Sequence, residues 1–364
     1  MASEARAPIE CDVLIVGGGI AGASLGAELA GQSQVVLIDA ESHCGYHSTG
    51  RSAAFWLESY GGPVVAELSK ASHQFLADGG FLSPRGAIHV SREAVTQVSG
   101  VSGLPIDRAE LERLLPGVQA AWRSGLLEES CADIDVAGLH GSYLAAFRRG
   151  GGRVLKDARL VRAKRENDGW VAELENGAIV NAKSLVDAAG AWADDVARCC
   201  GVQPLGIRPK RRTMVQLRVG RSELKQLPLV IDAKESFYFK GEGDRTIWLS
   251  PHDEIDSDAC DAAPEEIDVA TAIDRFEHVV DWPIEAVERS WAGLRSFAPD
   301  RVPVYGWDPE VPSFFWCAGQ GGFGIQTAPA ASRLTAALLL GQDPHPSVGH
   351  IDPSPFAPER FSRS

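Results

Sequence analysis

The stretch Asp12-Val-Leu-Ile-Val-Gly-Gly-Gly-Ile-Ala-Gly22 is followed, after a run of small residues, by Val35-Val-Leu-Ile-Asp39. Both apolar runs are continuous, which is typical of parallel strands that are buried on both faces. The residues from Ala23 to Ala30 favour a helix between the two strands. Strand, glycine-rich turn, helix, second strand and terminal acid thus come in the order of a dinucleotide-binding βαβ unit.

Each residue of this fingerprint has its own physical role. Gly17 permits a tight turn, and Gly19 lets the backbone approach a pyrophosphate that lies at the positive end of the helix dipole. Gly22 lets the helix pack closely on the strand. Asp39 can accept hydrogen bonds from ribose hydroxyls and would repel a 2′-phosphate. The fingerprint predicts an ADP-containing dinucleotide, and NAD fits it as readily as FAD.

Two other segments favour a flavin. The segment His47–Ala54 is rich in small and hydroxyl-bearing residues, so it could wrap the second half of a dinucleotide, with Arg51 near phosphate. The segment Ala318–Thr327 is dense in glycine and precedes a helical run from Ala330 to Leu340. Such a segment aims backbone N–H groups at a polar ligand, and a reduced flavin with negative charge near N1 and O2 is one.

Several long motifs together carry a resemblance to a known family. They are the βαβ unit, Gly45–Ala54, Ala132–Asp135, Asp187–Trp192, Pro209–Arg212, Glu235–Tyr238, Trp291–Phe297 and Gly319–Thr327. On these motifs the chain resembles the D-amino-acid oxidase/glycine oxidase superfamily of flavoproteins, and within it bacterial FAD-dependent D-arginine dehydrogenase most closely. The resemblance implies FAD bound without a covalent link, because Cys317 does not sit in the pattern of the covalently flavinylated members.

The resemblance also implies the fold. We expect an α/β protein with a Rossmann-like FAD-binding domain of the glutathione-reductase type and an interleaved α+β substrate domain built on an antiparallel sheet. The FAD-binding domain would consist of residues 1–72, 131–207 and 298–364. The substrate-binding domain would consist of residues 73–130 and 208–297.

The residues expected at the cofactor come from the fingerprint, the two glycine- and hydroxyl-rich segments, and the resemblance. They are Gly17, Gly19, Ile20, Ala21, Gly22, Asp39, Ser48, Thr49, Arg51, Ser52, Ala53, Leu160, Ala189, Gly190, Trp192, Gly321, Gly324, Ile325, Gln326 and Thr327.

An amino-acid oxidising site needs a group that fixes the substrate carboxylate. Arginine suits this task because its planar fork donates two hydrogen bonds at once. By resemblance, Arg212 and Arg295 bind the carboxylate with the Tyr238 hydroxyl as a third donor. The resemblance also places the Gly322 carbonyl at the substrate amine and makes Tyr60 a lid.

The chain departs from the D-arginine enzyme in the side-chain pocket. Ala87 stands where that enzyme has a glutamate for the guanidinium, and Phe55 and Leu57 stand where it has a histidine and a threonine. Without the carboxylate, nothing offsets the desolvation of a cationic side chain. We therefore expect a preference for neutral or apolar D-amino acids, unless the neighbouring Glu58 restores the charge.

The resemblance implies oxidative deamination by hydride transfer from Cα to flavin N5, which gives an imino acid that hydrolyses to a 2-oxo acid and ammonia. No acid–base residue or metal site is assigned. The alternatives are a glycine, sarcosine, imino-acid or opine oxidase, the flavoprotein subunit of a hetero-oligomeric amine dehydrogenase, and a flavin monooxygenase. Flavin monooxygenases carry a Gly-Asp dipeptide before the final helix of the FAD-binding domain, and this chain lacks it. The electron acceptor, whether a quinone, a dye or O2, is not encoded in these motifs.

Composition limits the possible partners. The net charge of −14 disfavours nucleic acid and anionic membrane surfaces. The leader Met1–Glu10 is polar, so we expect no signal peptide, and no apolar run approaches the length of a membrane span. The seven cysteines include no Cys-x-x-Cys pair, which favours reduced thiols over a disulfide framework or a zinc site. We expect a cytoplasmic protein whose partner is a small amino acid.

Overall fold

The computed structural model describes residues 7–98 and 100–361. The first six residues of the polar leader lie outside this range, as do Ser99 and the last three residues, so the domain segments expected to begin at 1 and end at 364 are described only in part.

The helices and strands of the described residues are numbered in chain order. The α-helices are α1 (Ile20–Leu29), α2 (Gly62–Asp78), α3 (Arg108–Leu114), α4 (Val136–Arg149), α5 (Ala193–Cys199), α6 (Glu266–Glu277) and α7 (Gly324–Leu340). The strands are β1 (Ile9–Val16), β2 (Val35–Ile38), β3 (Phe55–Trp56), β4 (Leu82–Pro84), β5 (Ala87–Ser91), β6 (Leu104–Ile106), β7 (Ser124–Glu128), β8 (Ala132–Ile134), β9 (Arg153–Leu155), β10 (Leu160–Glu166), β11 (Gly169–Leu174), β12 (Ile179–Asp187), β13 (Arg208–Val219), β14 (Leu229–Asp232), β15 (Tyr238–Gly241), β16 (Thr246–Ser250), β17 (Ile255–Asp256), β18 (Ile284–Phe297), β19 (Val304–Trp307), β20 (Phe314–Ala318) and β21 (Gln320–Gly321).

The first large sheet is built around the βαβ unit. Strand β1 pairs in parallel with β2 on one side and with β12 on the other, and β20 and β9 extend the parallel part at its two ends. Strands β10, β11 and β19 add antiparallel pairs. The four residues of β2 are all buried, as the continuous apolar run predicts. Helices α1 and α7 cover one face of this sheet and share one apolar core with it.

The second large sheet follows the order β21-β18-β13-β16-β15-β14-β5-β7-β6, with β17 paired to β13. It is antiparallel except where β14 pairs in parallel with β5. Its two longest strands, β13 and β18, run against each other along their lengths. Helix α6 packs under this sheet, where Phe276 contacts Phe239 in a second apolar core. The other face is turned toward the first sheet.

The sheets map closely onto the expected domain segments. All strands of the first sheet lie within residues 1–72, 131–207 and 298–364, and those of the second lie within 73–130 and 208–297 except β21. The boundary between residues 72 and 73 falls inside α2, which is one continuous helix packed on α7. A small third sheet, β3-β8-β4, also crosses that boundary. The exact division into domains stays a prediction.

Two helices begin earlier than expected. Helix α1 starts at Ile20 rather than at Ala23, and α7 starts at Gly324 rather than at Ala330. The end of the glycine-dense segment was expected to precede α7, but Gly324 begins the helix and Pro329 lies inside it. Buried packing of this helix outweighs the weak propensity of its first turns. No helix among the described residues is long and apolar enough to cross a membrane.

Candidate active site

A cavity of about 830 Å³ is lined by residues of both large sheets. One end lies at the carboxyl ends of β1 and β2, where Val16, Ile38 and Asp39 line it. The other end lies over the second sheet, where Arg212 and Tyr238 line it. Ligands of open α/β sheets bind outside the carboxyl ends of the parallel strands, so the first end is the expected dinucleotide site.

The glycine-rich turn leaves no room for side chains. Gly17 has a φ of +109°, and a Cβ there would fall 2.4 Å from the Ala188 carbonyl oxygen. The next amide, that of Gly18, donates to Asp39 Oδ2 at 2.9 Å, and Glu41 N–H donates to Asp39 Oδ1 at 2.9 Å. Burial raises the pKa of Asp39, and these backbone donors oppose that rise. The turn and the acid therefore form one preorganised unit.

Two helices point their N-termini into the cavity. The first turn of α1 lines it through Ile20, whose N–H donates to the Thr49 hydroxyl at 3.0 Å. The first turn of α7 lines it through Gly324 and Gln326. Both helices carry unpaired N–H groups and partial positive charge at this end. A long ligand with a pyrophosphate at the first helix and a polar ring at the second fits this arrangement, as FAD does with its central pyrophosphate and terminal flavin ring.

Nearly all residues expected at the cofactor line the cavity. They are Gly17, Gly19, Ile20, Ala21, Asp39, Ser48, Thr49, Arg51, Ser52, Ala53, Leu160, Ala189, Gly190, Trp192, Gly321, Gly324, Ile325 and Gln326.

Gly22 and Thr327 do not line the cavity. A Cβ on Gly22 would fall 2.0 Å from the Gly17 carbonyl oxygen, so this glycine serves the close packing of α1 on the turn. Thr327 is fully buried, and its hydroxyl donates to the Phe323 carbonyl at 2.9 Å within α7. The structure thus gives both residues a packing role beside the cavity rather than a place on its surface.

Arg51 lines the cavity, but its guanidinium is turned to protein groups rather than left for phosphate. It donates to the carbonyls of Ala262 (2.9 Å) and Ala292 (3.1 Å) and pairs with Asp261. These partners belong to the second sheet and to the loop beside it. The structure therefore gives Arg51 the role of joining the 47–54 segment to the substrate side.

The other end of the cavity holds the expected carboxylate donors. Arg295 Nη2 donates to the Tyr60 hydroxyl at 2.6 Å, whereas Arg295 Nε and Nη1 are buried without a hydrogen-bond partner among the described residues. Arg212 is 7% exposed, and its Nε donates to the Asp253 carbonyl at 2.7 Å. Its Nη2 likewise has no hydrogen-bond partner in the part of the chain that the structure describes. Arg295 Nη1 and Arg212 Nη2 both form an ion pair with Glu254 Oε1, at 3.1 Å and 3.7 Å, whereas Arg295 Nε has no partner among the described residues. Buried donors are costly to leave without a hydrogen bond, so this excess of donors indicates an anionic ligand.

Strand geometry separates Arg212 from the other basic residues around it. Lys210 pairs with Asp256 at 2.5 Å, and Arg211 pairs with Glu265 and, at 2.8 Å, with Asp268. Neither of these two side chains lines the cavity. The run that looks like a basic surface strand in the sequence thus supplies one arginine to the site.

The loop after β16 brings two groups that sequence reasoning missed. Glu254 Oε1 lies 3.1 Å from Arg295 Nη1 and 3.0 Å from Arg301 Nη2. Burial raises the pKa of Glu254, but the Arg301 hydrogen bond and the charge of Arg295 hold it below its ordinary value. Burial, helped by the charge of Arg212, lowers the pKa of His252 to about 4. We call Arg212 and Arg295 the carboxylate clamp. The clamp therefore has a carboxylate, that of Glu254, and a neutral imidazole, that of His252, beside it. No spacing signal in the sequence marks this loop.

The side-chain end of the cavity is lined by Phe55, Leu57 and Tyr60. Ala87 does not reach it, because it is fully buried in a small apolar core behind Leu57. Glu58 does not line it either, and its carboxylate lies 3.7 Å from Lys70 Nζ with nearly half of its side chain exposed. The expected loss of a carboxylate at position 87 therefore has no direct effect on the cavity surface.

Replacing Gly322 by alanine is expected to lower kcat/KM about 100-fold while FAD stays bound. The new Cβ would fall 2.4 Å from the Tyr60 hydroxyl and 2.5 Å from Arg295 Nε, so both side chains must shift. Displacement of a positioning group by about 1 Å costs on the order of 100-fold in rate. Steady-state kinetics and the flavin-to-protein ratio measure the two effects. Gly243→Ala is the control, since its Cβ would meet nothing closer than 3.5 Å; equal activity of both variants would contradict the expectation.

Comparisons with known proteins agree with this geometry. The bifunctional protein ThiO/ThiG of Nostoc sp. is 27% identical over 210 residues, which are 54% of this chain and 29% of that protein. Glycine oxidase of Pseudomonas aeruginosa is 25% identical over 258 residues, which are 70% of this chain and 67% of that protein. The chain thus matches less than a third of the first relative's length.

The fold expected from the sequence is confirmed by solved structures. L-proline dehydrogenase from P. horikoshii superposes with a TM-score of 0.83 at 20% identity, and the match covers 98% of each chain. At that identity the likeness shows the fold alone. The family model described as DAO, FAD dependent oxidoreductase, matches residues 12–338. Since this range is most of the sequence and contains the cavity, the chain belongs to the DAO family of FAD-dependent oxidoreductases.

Proposed function

We propose that this enzyme oxidises the α-carbon of an amino acid, with the D-enantiomer as its substrate. The observation that carries the proposal is an excess of buried guanidinium donors at one end of the cavity. Arg295 Nε has no partner among the described residues, while Arg295 Nη1 and Arg212 Nη2 share the single carboxylate of Glu254. Two guanidinium groups in a low-dielectric site match a carboxylate. The α-carbon would then lie between this clamp and the dinucleotide end.

The chain's own residues bind and orient the substrate. Arg295 and Arg212 would hold the carboxylate, and the Gly322 carbonyl would accept from the amine. The Tyr238 hydroxyl donates to Met214 Sδ at 3.2 Å in this structure and would turn from that sulfur to the carboxylate when the substrate binds. FAD, when bound, supplies the acceptor for the hydride that leaves Cα. The substrate amine must be neutral before that hydride leaves, and the neutral His252 adds no positive charge to oppose an incoming ammonium. The product imine then reacts with water to give a 2-oxo acid and ammonia.

The preference for a D-amino acid rests on the resemblance to D-arginine dehydrogenase. A neutral side chain is favoured over arginine because two acids at the cavity are already engaged. Glu254 is held by arginines, and the Asp232 carboxylate accepts hydrogen bonds from Lys234 N–H and from Ser236. Glu235 also lines the cavity, but it is exposed, so it would offset little of the desolvation of a guanidinium.

A second candidate function uses the same carboxylate clamp but oxidises a different class of amine. The curated relative named glycine oxidase and the solved L-proline dehydrogenase carry names that indicate glycine and a cyclic secondary amine as substrates of those proteins. We therefore retain glycine, sarcosine, an imino acid or an opine as the alternative substrate class. A subunit role is the third, supported by a relative named hydrogen cyanide synthase subunit HcnC.

Anaerobic mixing of the yellow protein with amino acids tests the proposal. The panel contains the D- and L-forms of alanine, methionine and glutamine, together with glycine, sarcosine and proline. We expect rapid bleaching of the flavin absorbance near 450 nm, the usual flavin band, by D-amino acids and slow or no bleaching by the L-forms. Admission of O2 then shows whether oxygen or an added quinone or dye reoxidises the flavin. If no compound bleaches a fully flavin-loaded protein, the proposal is wrong, and bleaching by glycine or proline alone supports the second candidate.

A further inference from the structure

A buried histidine–glutamate pair lies at the far side of the cavity from the nucleotide end. His89 Nε2 is 3.2 Å from Glu128 Oε2, and the Ser59 hydroxyl donates to the same oxygen at 3.3 Å. His89 is 5% exposed and Glu128 is 2% exposed. His89 and Ser59 line the cavity, whereas Glu128 does not. Neither the carboxylate clamp nor the cofactor end uses these three residues.

The register of the second sheet places His89 on the same face as the clamp. Ile231 is the partner of Tyr238 on one side and of His89 on the other, so the three residues form one row across β15, β14 and β5. Directly paired residues point to the same face of a sheet. The row spans two strand spacings, roughly 10 Å. Tyr238 thus marks the carboxylate end of this row, and His89 marks the end that a substrate side chain would reach.

The small side chain of Ala87 makes the pair possible. Glu128 is the direct partner of Ala87, and Leu126 is the direct partner of His89. Glu128 is therefore the diagonal neighbour of His89 on the same face, within reach of a long side chain. A larger residue at position 87 would occupy the space that the Glu128 carboxylate crosses.

The hydrogen bonds of the pair decide what the cavity offers to a ligand. The Glu128 carboxylate is acceptor-only, so His89 Nε2 donates to it; in the imidazole tautomer with its one proton on Nε2, Nδ1 is an acceptor. The Ser59 hydroxyl donates its hydrogen bond to Glu128, so its oxygen can act only as an acceptor toward a ligand in the cavity. Among the described residues, His89 Nδ1 has no hydrogen-bond partner. Two acceptors thus face the cavity, and the charge of Glu128 is screened from it by its two donors.

We propose that His89, set by Glu128 and Ser59, selects a substrate amino acid whose neutral side chain ends in an N–H or O–H donor, such as a carboxamide or a hydroxyl. The inference rests on the proposed function, since it names the side chain that accompanies the bound carboxylate. An apolar side chain of equal length leaves Nδ1 unpaired, and sites built to hydrogen-bond a substrate group discriminate strongly against analogues that lack it.

The test compares substrates of matched length in matched variants. Glutamine carries a terminal donor, methionine has similar length without one, lysine carries charge, and alanine is too short to reach His89. Both enantiomers of each are used, so that the outcome does not depend on handedness. We expect kcat/KM for glutamine to exceed that for methionine about tenfold or more, as one well-placed hydrogen bond in a closed site provides.

Three variants separate recognition from folding. In His89→Phe, compared with wild type at equal flavin content, the glutamine-to-methionine ratio is expected to fall about tenfold. His89→Asn keeps an acceptor near the Nδ1 position and should retain part of the ratio. His73→Phe is the matched control, because His73 is exposed, stacks on Trp56 and does not line the cavity. In Ser59→Ala we expect a smaller decrease of the glutamine-to-methionine ratio. This variant replaces His89→Phe in the test if His89→Phe loses its flavin.

The outcomes are distinct from those of the proposed function. If alanine bleaches the flavin but the glutamine-to-methionine ratio is the same in wild type and His89→Phe, the inference is wrong and the proposed function stands. A preference for lysine over glutamine also overturns it, since the pair would then act through the charge of Glu128. If no amino acid bleaches the flavin, the proposed function itself fails.

Discussion

Arg295→Met is expected to lower kcat/KM by about 1,000-fold with the flavin fully retained. The substitution removes the buried Nε, which has no hydrogen-bond partner among the described residues, and Nη1, which lies 3.1 Å from Glu254 Oε1. Two charge-assisted hydrogen bonds at roughly 2 kcal/mol each correspond to about three factors of ten. It also removes the donor to the Tyr60 hydroxyl, so that side chain loses its hydrogen bond at the site. Steady-state and stopped-flow kinetics, with flavin absorbance as a binding control, measure the change.

The matched control is Arg301→Met. Arg301 also contacts Glu254, but half of its side chain is exposed, and exposed ion pairs contribute little. We expect a change in kcat/KM of about fivefold or less, because such a pair is worth roughly 0–1 kcal/mol. Arg295→Lys should recover only part of the activity, since an ammonium cannot supply the two-pronged hydrogen bonds of a guanidinium. If Arg295→Met keeps kcat/KM within tenfold of wild type, the carboxylate clamp lies elsewhere.

Gly22→Ala is expected to yield a protein that is largely colourless after purification. The added Cβ would fall 2.0 Å from the Gly17 carbonyl oxygen, which is backbone and cannot rotate away. Helix α1 must then move off the turn, and its N-terminal amides move away from the pyrophosphate position. Overpacking of this kind costs roughly 1–3 kcal/mol in stability. The loss of cofactor adds to it, because a bound ligand stabilises the native state in proportion to its affinity.

The flavin-to-protein absorbance ratio and the Tm, with and without added FAD, measure this effect. Gly141→Ala is the control, since Gly141 lies in helix α4 with nothing within 4 Å of its ideal Cβ. That change should keep the flavin and leave the Tm equal or slightly higher, because alanine favours a helix over glycine. A yellow Gly22→Ala protein with unchanged Tm would show that the turn tolerates a wider spacing.

Local sequence predicted the nucleotide half well. Residues 12–39 contain strand, turn, helix and acid in one short segment, so their contacts follow from spacing alone. Local sequence did not predict the carboxylate clamp, because Arg212 and Arg295 come from strands that are far apart in the chain. Only the resemblance to the family predicted that they share one site. Their burial and their unpaired donors come from the structure.

Contacts between distant strands explain what the sequence could not predict. The His89–Glu128 pair depends on the register of β5 against β7, and a shift of one residue would turn both side chains to the other face. Glu254 and His252 lie in a loop with no turn motif that marks them. Position 87 shows the same limitation of sequence reasoning. The resemblance aligned Ala87 with a glutamate and predicted the loss of a carboxylate, but Glu128 of the neighbouring strand β7 places a carboxylate beside Ala87.

The contact between the 55–60 segment and helix α7 has a consequence for how the chain folds. Leu57 N–H donates to Gln326 Oε1 at 3.2 Å, across 269 residues of sequence. Gln326 Nε2 also donates to the Ser69 hydroxyl at 2.7 Å. During synthesis the contacts of the 55–60 segment with α7 cannot form until α7 has been made. Both segments of the substrate-binding domain, residues 73–130 and 208–297, are synthesised before that point. Such high contact order slows folding and exposes apolar surface to aggregation. Added FAD should therefore raise the yield of folded protein most when it is present before the late helix docks.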